Sequence, residues 1–229
     1  MSLHPSARMR RLVIGLSGAS GAVYGIRLLQ LLRTVPDVET HLVVSPTGLQ
    51  TIRYETDRDA DEVLALADYR YSFRDLAAAP SSGSFRTDGM IICPCSIRTL
   101  SGVAASSDDN LLIRAADVTL KERRRLVLAV RETPLHAGHL RLMQQATENG
   151  AIIAPPVPAF YARPQSLAEL VDHTVYRLLD LVDVEIEDED ITRWPAPRGA
   201  RPGNAGADTI STAPSRAVHP PHVASRRIS

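Results

Sequence analysis

Apolar residues gather in short runs at 11–17, 39–45 (ETHLVVS), 88–93 (DGMIIC), 125–130 (RLVLAV) and 151–154 (AIIA). Runs of this length, rich in Val, Ile and Leu and closed by small or polar residues, predict strands buried on both faces. Between them the apolar positions return at helical spacing, which predicts helices at 19–34, near 46–55 and 60–67, and at 96–105, 110–122, 138–149 and 166–183. Strands alternating with helices predict an α/β fold, a central parallel sheet with helices on both sides. Such sheets hold ligands beyond the carboxyl ends of their strands. That singles out the loops at 17–21, 45–48, 94–99 and 131–136, which are also the polar ones. Residues 1–10 read as an N-terminal extension and 11–195 as one domain. Residues 196–229, with five prolines and no apolar period, read as a disordered tail.

The first strand opens directly into a turn of small residues, LVIGLSGASG at 12–21, with the amphipathic AVYGIRLLQLLR behind it. A strand feeding a glycine-rich helix start presents backbone N–H groups to an approaching phosphate. Gly15, Gly18 and Gly21 remove Cβ atoms there, and Ser17 and Ser20 add hydroxyls. The loop is not a dinucleotide fingerprint, because Ser45 stands where the second strand should end in a ribose-binding acid. Nor is it a Walker loop, since no lysine precedes Lys121. A monophosphate loop of the kind flavin mononucleotide needs and a tight turn without ligand both satisfy this stretch.

Charge narrows the partners. Lys+Arg and Asp+Glu both total 26, so no basic field speaks for nucleic acid. The balance is uneven, since five arginines (198, 201, 216, 226 and 227) face Asp208 alone in the tail, which is near +4 against about −4 elsewhere. No apolar run is long enough to span a membrane and the N-terminal MSLHPSARMRR leads into a strand, so a soluble, cytoplasmic protein is expected. Cys93 and Cys95 flank Pro94, too close for an ordinary disulfide and too few for a zinc cage, and read as reduced packing residues.

Past the strand at 88–93, CPCSIRTLSG places Ser96 at an N-cap and Thr99 in the first helical turn, a second anion-friendly helix start. Plain capping explains Ser96 equally well. The stretch NLLIRAADVTLKERRRLVLAVRETPL then brings Arg114, Lys121, Arg131 and Glu132 toward what reads as the same edge, with Arg114 and Lys121 on one helix face. Arg123, Arg124 and Arg125 read as surface charge, and Arg131 with Glu132 either as an ion pair or as functional groups at a strand end. Glu55, in RYETD, reads in isolation as a solvent carboxylate. In PPVPAFYARPQSLAELVDHTVYRLLD the prolines fix Phe160 and Tyr161 in a stiff loop, and Arg177 follows on a helix. Tyr161 and Arg177 together suit a second phosphate, or are a core aromatic and a surface charge.

These segments in order, GLSGASGAVYG, Ser-Ser-Gly-Ser at 81–84, CPCSIRTLSG, RAADVTLKERR, LAVRETPL, PPVPAFYARPQS and the helix with Arg177, resemble the flavin prenyltransferase family of the UbiX/Pad type from about residue 10 to Trp194. The resemblance implies a Rossmann-like, flavoprotein-type three-layer sandwich, assembled as a homododecamer. It implies a metal-independent transferase that joins a dimethylallyl group from dimethylallyl phosphate to reduced FMN. The prenylated FMN would serve a UbiD-type decarboxylase, in ubiquinone synthesis or aromatic-acid decarboxylation. By position, Gly18, Ala19, Ser20, Ser45, Ser96, Ile97, Arg98, Thr99 and Arg131 match FMN contacts, and Lys121, Tyr161 and Arg177 match contacts to dimethylallyl phosphate. Glu55 with Ser20, and Arg114 with Glu132, match positions for phosphate handling and proton transfer. The tail has no counterpart.

Loss of phosphate from an allylic carbon leaves an allylic cation, so cations on the phosphate and an electron-rich partner in contact are what the chemistry demands. Lys121, Arg131 and Arg177 supply the first, reduced flavin is the second, and Glu132, Glu55 and Ser20 are candidates for moving protons. The chain carries no Asp-rich cluster of the kind that holds magnesium on a diphosphate, which favours a monophosphate donor. FMN-dependent cysteine decarboxylases share the expected fold, but their Pro-x-Met-Asn segment is absent because no Met-Asn pair occurs. A flavin carrier without chemistry of its own would need only the FMN loops, and leaves Glu55, Lys121, Glu132, Tyr161 and Arg177 without a task.

Overall fold

Six parallel strands form one sheet in the order β3-β2-β1-β4-β5-β6. They are β1 (Arg10–Leu16), β2 (Val38–Val44), β3 (Tyr69–Tyr71), β4 (Gly89–Cys95), β5 (Arg125–Val130) and β6 (Ile152–Ile153). The structure is a computed structural model, and it describes residues 8–186. The expected tail at 196–229, Trp194 and the first residues of the N-terminal extension lie outside the described residues.

Strand periodicity sorts the core. Leu12, Ile14 and Leu16 of β1 face one side with Leu42, Val44, Ile91, Cys93 and Val127. Val13 faces the other with Val43, Met90, Ile92, Cys95, Leu126 and Leu128. On the first side pack α1 (Ala22–Leu32), α2 (Pro46–Glu55), α3 (Ala60–Leu64) and α7 (Leu167–Asp180). On the second pack α4 (Ile97–Ala105), α5 (Leu111–Lys121) and α6 (Ala137–Glu148). This is the three-layer arrangement that the alternating pattern predicts.

Differences from the sequence reading are local. The first helix begins at Ala22 rather than 19, because its N-cap Gly21 is held at φ 105, a left-handed conformation that only glycine adopts freely. The fourth strand runs on through Pro94 to Cys95, with a register irregularity between Ile92 and Cys95. The short edge strand β3 is absent from the expectation. The chain order places β2 and β3 on one side of β1 and β4 to β6 on the other, so the topology reverses between β1 and β4. The ligand crevice of a doubly wound sheet opens at that reversal.

Candidate functional site

Ser17, one residue beyond β1, is 2% exposed and ties the reversal together. Its hydroxyl donates to the Pro94 carbonyl at 3.0 Å and accepts from the Ser96 amide at 2.8 Å, while its own amide donates to the same carbonyl at 3.1 Å. The sequence offered Ser17 as a ligand donor, whereas its bonds make it the clasp that sets the α4 entry beside the β1 loop. Gly18 is exposed, and a Cβ there would collide with the side chain of Thr47 on α2. Ala19 is buried and Ser20 exposed.

No side chain of its own caps α1. Glu55, the last residue of α2, does so from across the loop, accepting from the Gly21 amide at 2.8 Å and the Ala22 amide at 2.9 Å. Burial pushes the Glu55 carboxyl up, but the Ser20 side chain, the two amides and the Arg131 charge together pull it below its ordinary value. Arg131, exposed beyond β5, therefore acts on the β1 loop electrostatically, and its charge also reaches Tyr24. Gly18, Ala19, Ser20, Glu55 and Arg131 thus share one rim.

Beside this rim lies a cleft of about 460 Å³ among Ser45, Thr47, Phe73, Arg74, Ser96, Arg98, Thr99, Asp109, Asn110 and Ile113. Three helices begin on it. Ser45 accepts from the Gly48 amide at 3.0 Å, Ser96 from the Thr99 amide at 3.3 Å, and Asn110 from the Ile113 amide at 3.1 Å. None of α1, α2, α4 and α5 carries an acidic residue in its first turn, and α4 carries Arg98 there. A cation at the positive end of a helix is unfavourable unless an anion lies between them. Of the expected FMN contacts, Ser45, Ser96, Arg98 and Thr99 line the cleft, and Ile97 packs against the core behind it. Phe73, Arg74, Asp109, Asn110 and Ile113 were not expected, while Thr47 falls in the 45–48 loop that the sequence singles out. Asn110 was legible as an N-cap before LLIRAADV; Phe73 and Arg74 lie in an irregular stretch and give no pattern.

The two thiols are not among the residues that line the cleft. Cys93 and Cys95 are unpaired and fully buried, and burial alone pushes Cys93 up to about 12.

The expectation that Arg114, Lys121, Arg131 and Glu132 share one edge fails within a single chain. Helix α5 runs antiparallel to the strands, so Lys121 at its end lies beside the start of β5 at Arg125, and Arg131 lies beyond the other end. A strand of that length separates them by roughly 17 Å. Lys121 pairs there with Glu122 at 2.6 Å. Arg114 does not meet Glu132 either; it bonds Asp108 at 2.8 Å, Asp117 at 3.3 Å and the Ser81 carbonyl at 3.2 Å. Glu132 is exposed and accepts from the Thr133 amide at 3.0 Å, and no Arg131–Glu132 ion pair forms among the described residues. Arg124 is not loose surface charge, since it donates to the carbonyls of Gly83 and Phe85 and to Thr87, holding the 83–87 loop.

Tyr161 lies on a 3₁₀ turn at Phe160–Ala162 and meets His173 of α7, hydroxyl to Nε2, at 2.9 Å. It is not a core aromatic, being 46% exposed. Arg177 stands one turn beyond His173, 3.8 Å from Asp180. The chain just past α7 meets the start of β1, where the carbonyls of Val182 and Asp183 accept from Arg10. Arg177, like Lys121, therefore lies toward the amino edge of its own sheet. Among the described residues no cluster of three or more His, Cys, Asp or Glu side chains could hold a metal, and no helix is long and apolar enough to cross a membrane.

A doubly wound sheet with an anion-seeking cleft at its reversal defines a flavoprotein-type site, and the sequence matches the Flavoprotein family over residues 2–178. Closer relatives narrow the class. Flavin prenyltransferase UbiX of Escherichia coli K12 is 61% identical over 186 residues, covering 81% of this chain and 98% of the relative. A crystal structure of AnUbiX (PadA1) in complex with FMN and dimethylallyl pyrophosphate superposes with TM-score 0.79 at 51% identity, over 82% of this chain and 99% of that one. A dodecameric FMN-dependent Ubix-like decarboxylase from Escherichia coli O157:H7 superposes with TM-score 0.78 at 48% identity, over 81% of this chain and 100% of that one. The chain belongs to the UbiX family of flavin prenyltransferases.

Proposed function

We propose that this flavin prenyltransferase binds reduced FMN in the cleft between α2, α4 and α5 and alkylates it with dimethylallyl phosphate. The observation that carries the reading is the cleft itself. First helical turns free of acids, with Arg98 in one of them and Arg74 on the wall against a single lining carboxylate, Asp109, form a place for a flavin phosphate, and Phe73 and Ile113 offer apolar wall to a ring. Its volume falls in the range of small-molecule sites, about 300–1,000 Å³. FMN is the ligand of the AnUbiX complex, which supports the choice.

In the reaction the allylic C–O bond breaks, its electron pair leaves on phosphate, and reduced flavin supplies the electrons for the new bond to carbon. Cations set around the leaving phosphate lower that barrier because they meet charge that grows as the bond breaks. Lys121 and Arg177 take that role, with Tyr161 beside them as a neutral hydrogen-bond donor and Arg131 on the flavin side. Glu55 is held ionised at neutral pH, so it accepts a proton rather than donating one, with Ser20 as its hydrogen-bonded neighbour. Arg114 and Glu132 belong to the same proposal at a second remove, Arg114 shaping the 81–84 segment and Glu132 facing solvent beyond β5.

Lys121 and Arg177 lie toward the sheet edge opposite their own cleft. They serve the reaction when a neighbouring copy presents them to it, and the dodecameric Escherichia coli relative supports such an assembly. A homododecamer is accordingly proposed, with the prenylated flavin passing to a UbiD-type decarboxylase in the cytoplasm. Glu55→Gln tests the chemistry. It should keep FMN bound and abolish prenyl transfer in a single-turnover assay; unchanged turnover removes Glu55 from the reaction.

A further inference from the structure

The Pro-rich stretch that carries Tyr161 stiffens the backbone but does not fix a half-exposed phenol, which has to be oriented by something it touches. His173 does this. Its Nε2 lies 2.9 Å from the Tyr161 hydroxyl, and the two rings meet edge to face at 5.3 Å between centroids and 82° between planes. His173 and Arg177 are four residues apart on α7, so they share a face and place the phenol and the guanidinium on one side of the helix.

The hydrogen bond has two senses. If Nε2 accepts, the phenol spends its proton on the imidazole and turns lone pairs outward, which repels a phosphate. If Nε2–H donates to the phenol oxygen, the phenolic proton is released to point outward, and the relay from imidazole through phenol to an anion is mutually reinforcing.

We propose that His173 is a positioning residue for the allylic phosphate, fixing Tyr161 and donating to its oxygen so that the phenol hydrogen-bonds the donor. The inference rests on the reading above in which Tyr161 meets that phosphate. A hydrogen bond to a charged group is worth enough for its loss to raise KM for dimethylallyl phosphate about tenfold.

Four variants test it: Tyr161→Phe, His173→Phe, the double variant and His173→Gln, each with KM for dimethylallyl phosphate, kcat and FMN affinity measured. His173→Phe keeps a ring against Tyr161 but has no nitrogen, and His173→Gln restores an N–H donor. Should His173→Phe lose FMN binding, and with it the fold, His173→Leu carries the same comparison. The expected result is a similar rise in KM for Tyr161→Phe, His173→Phe and the double variant, with FMN affinity unchanged and recovery in His173→Gln. A rise for Tyr161→Phe with none for His173→Phe, additive effects in the double variant, or no recovery with glutamine overturns the role of His173 and leaves that of Tyr161 standing. An unchanged KM for Tyr161→Phe overturns both.

Discussion

Glu55 ends α2, where a carboxylate faces the negative pole of its own helix, an unfavourable place. It is tolerated because the same carboxylate meets the positive pole of α1 through the Gly21 and Ala22 amides. A local rule is broken at a residue whose task lies elsewhere. The pH dependence follows from the lowered pKa. Between the folded value and the ordinary glutamate value of about 4.3, the unfolded chain binds more protons than the folded one, so stability rises with pH across that window. The Glu55 contribution is complete above the ordinary value and is lost as pH falls through the folded one. Glu55→Gln should therefore lower the urea midpoint at pH 7, and the gap from the parent protein should narrow as pH falls below the ordinary glutamate value. A gap that is constant with pH contradicts the capping role. In the sequence Glu55 looks like any exposed acid, because the amides it caps lie 33 and 34 residues away; only the family likeness singled it out. The clasp that Ser17 makes is hidden in the sequence for the same reason, since its partners Pro94 and Ser96 follow at a distance of 77 and 79 residues.

The long buried strands were legible because burial on both faces leaves unbroken apolar runs, as in LVIGL of β1 and RLVLAV of β5. Strand β3 was not, being three residues on the sheet edge in a stretch of tyrosines and charges. Its packing is unusual. His41 of β2, 2% exposed, stacks on Tyr69 at 5.0 Å and takes the edge of Phe85 at 5.0 Å. Its nitrogens reach the Tyr71 hydroxyl at 2.9 Å and Glu39 at 2.8 Å. Burial lowers the His41 pKa further than Glu39 raises it, with Arg11 also lowering it and Asp68 raising it. The unfolded chain thus takes up the proton first, and stability falls as pH drops below about 6.5. His41→Gln should flatten that limb, read as the change in urea midpoint between about pH 7.5 and pH 5.5. An equally steep limb in the variant assigns the loss to other groups.

At the scale of the molecule, strand direction decides what one copy can do alone. Antiparallel crossover helices return the chain to the amino edge, which takes Lys121 and Arg177 away from the cleft that Ser45 and Ser96 border and from the rim that Glu55 caps. Sequence spacing does not encode which end of the sheet a helix finishes on until the topology is known, and so the four charged residues at 114–132 read as neighbours. Subunit mixing tests the shared site. Glu55→Gln and Lys121→Ala chains, each inactive alone, should recover roughly a quarter of parental turnover when co-assembled at equal amounts, because in the proposed assembly each site takes the two residues from different copies. No recovery places both residues in one chain's site.

The chemistry itself is tested most directly by weighing the flavin. Purified protein incubated anaerobically with reduced FMN and dimethylallyl phosphate should yield a flavin heavier by one dimethylallyl unit, with phosphate released in equal amount. FMN recovered at its original mass, bound but unaltered, would contradict prenyl transfer and leave a flavin-holding protein.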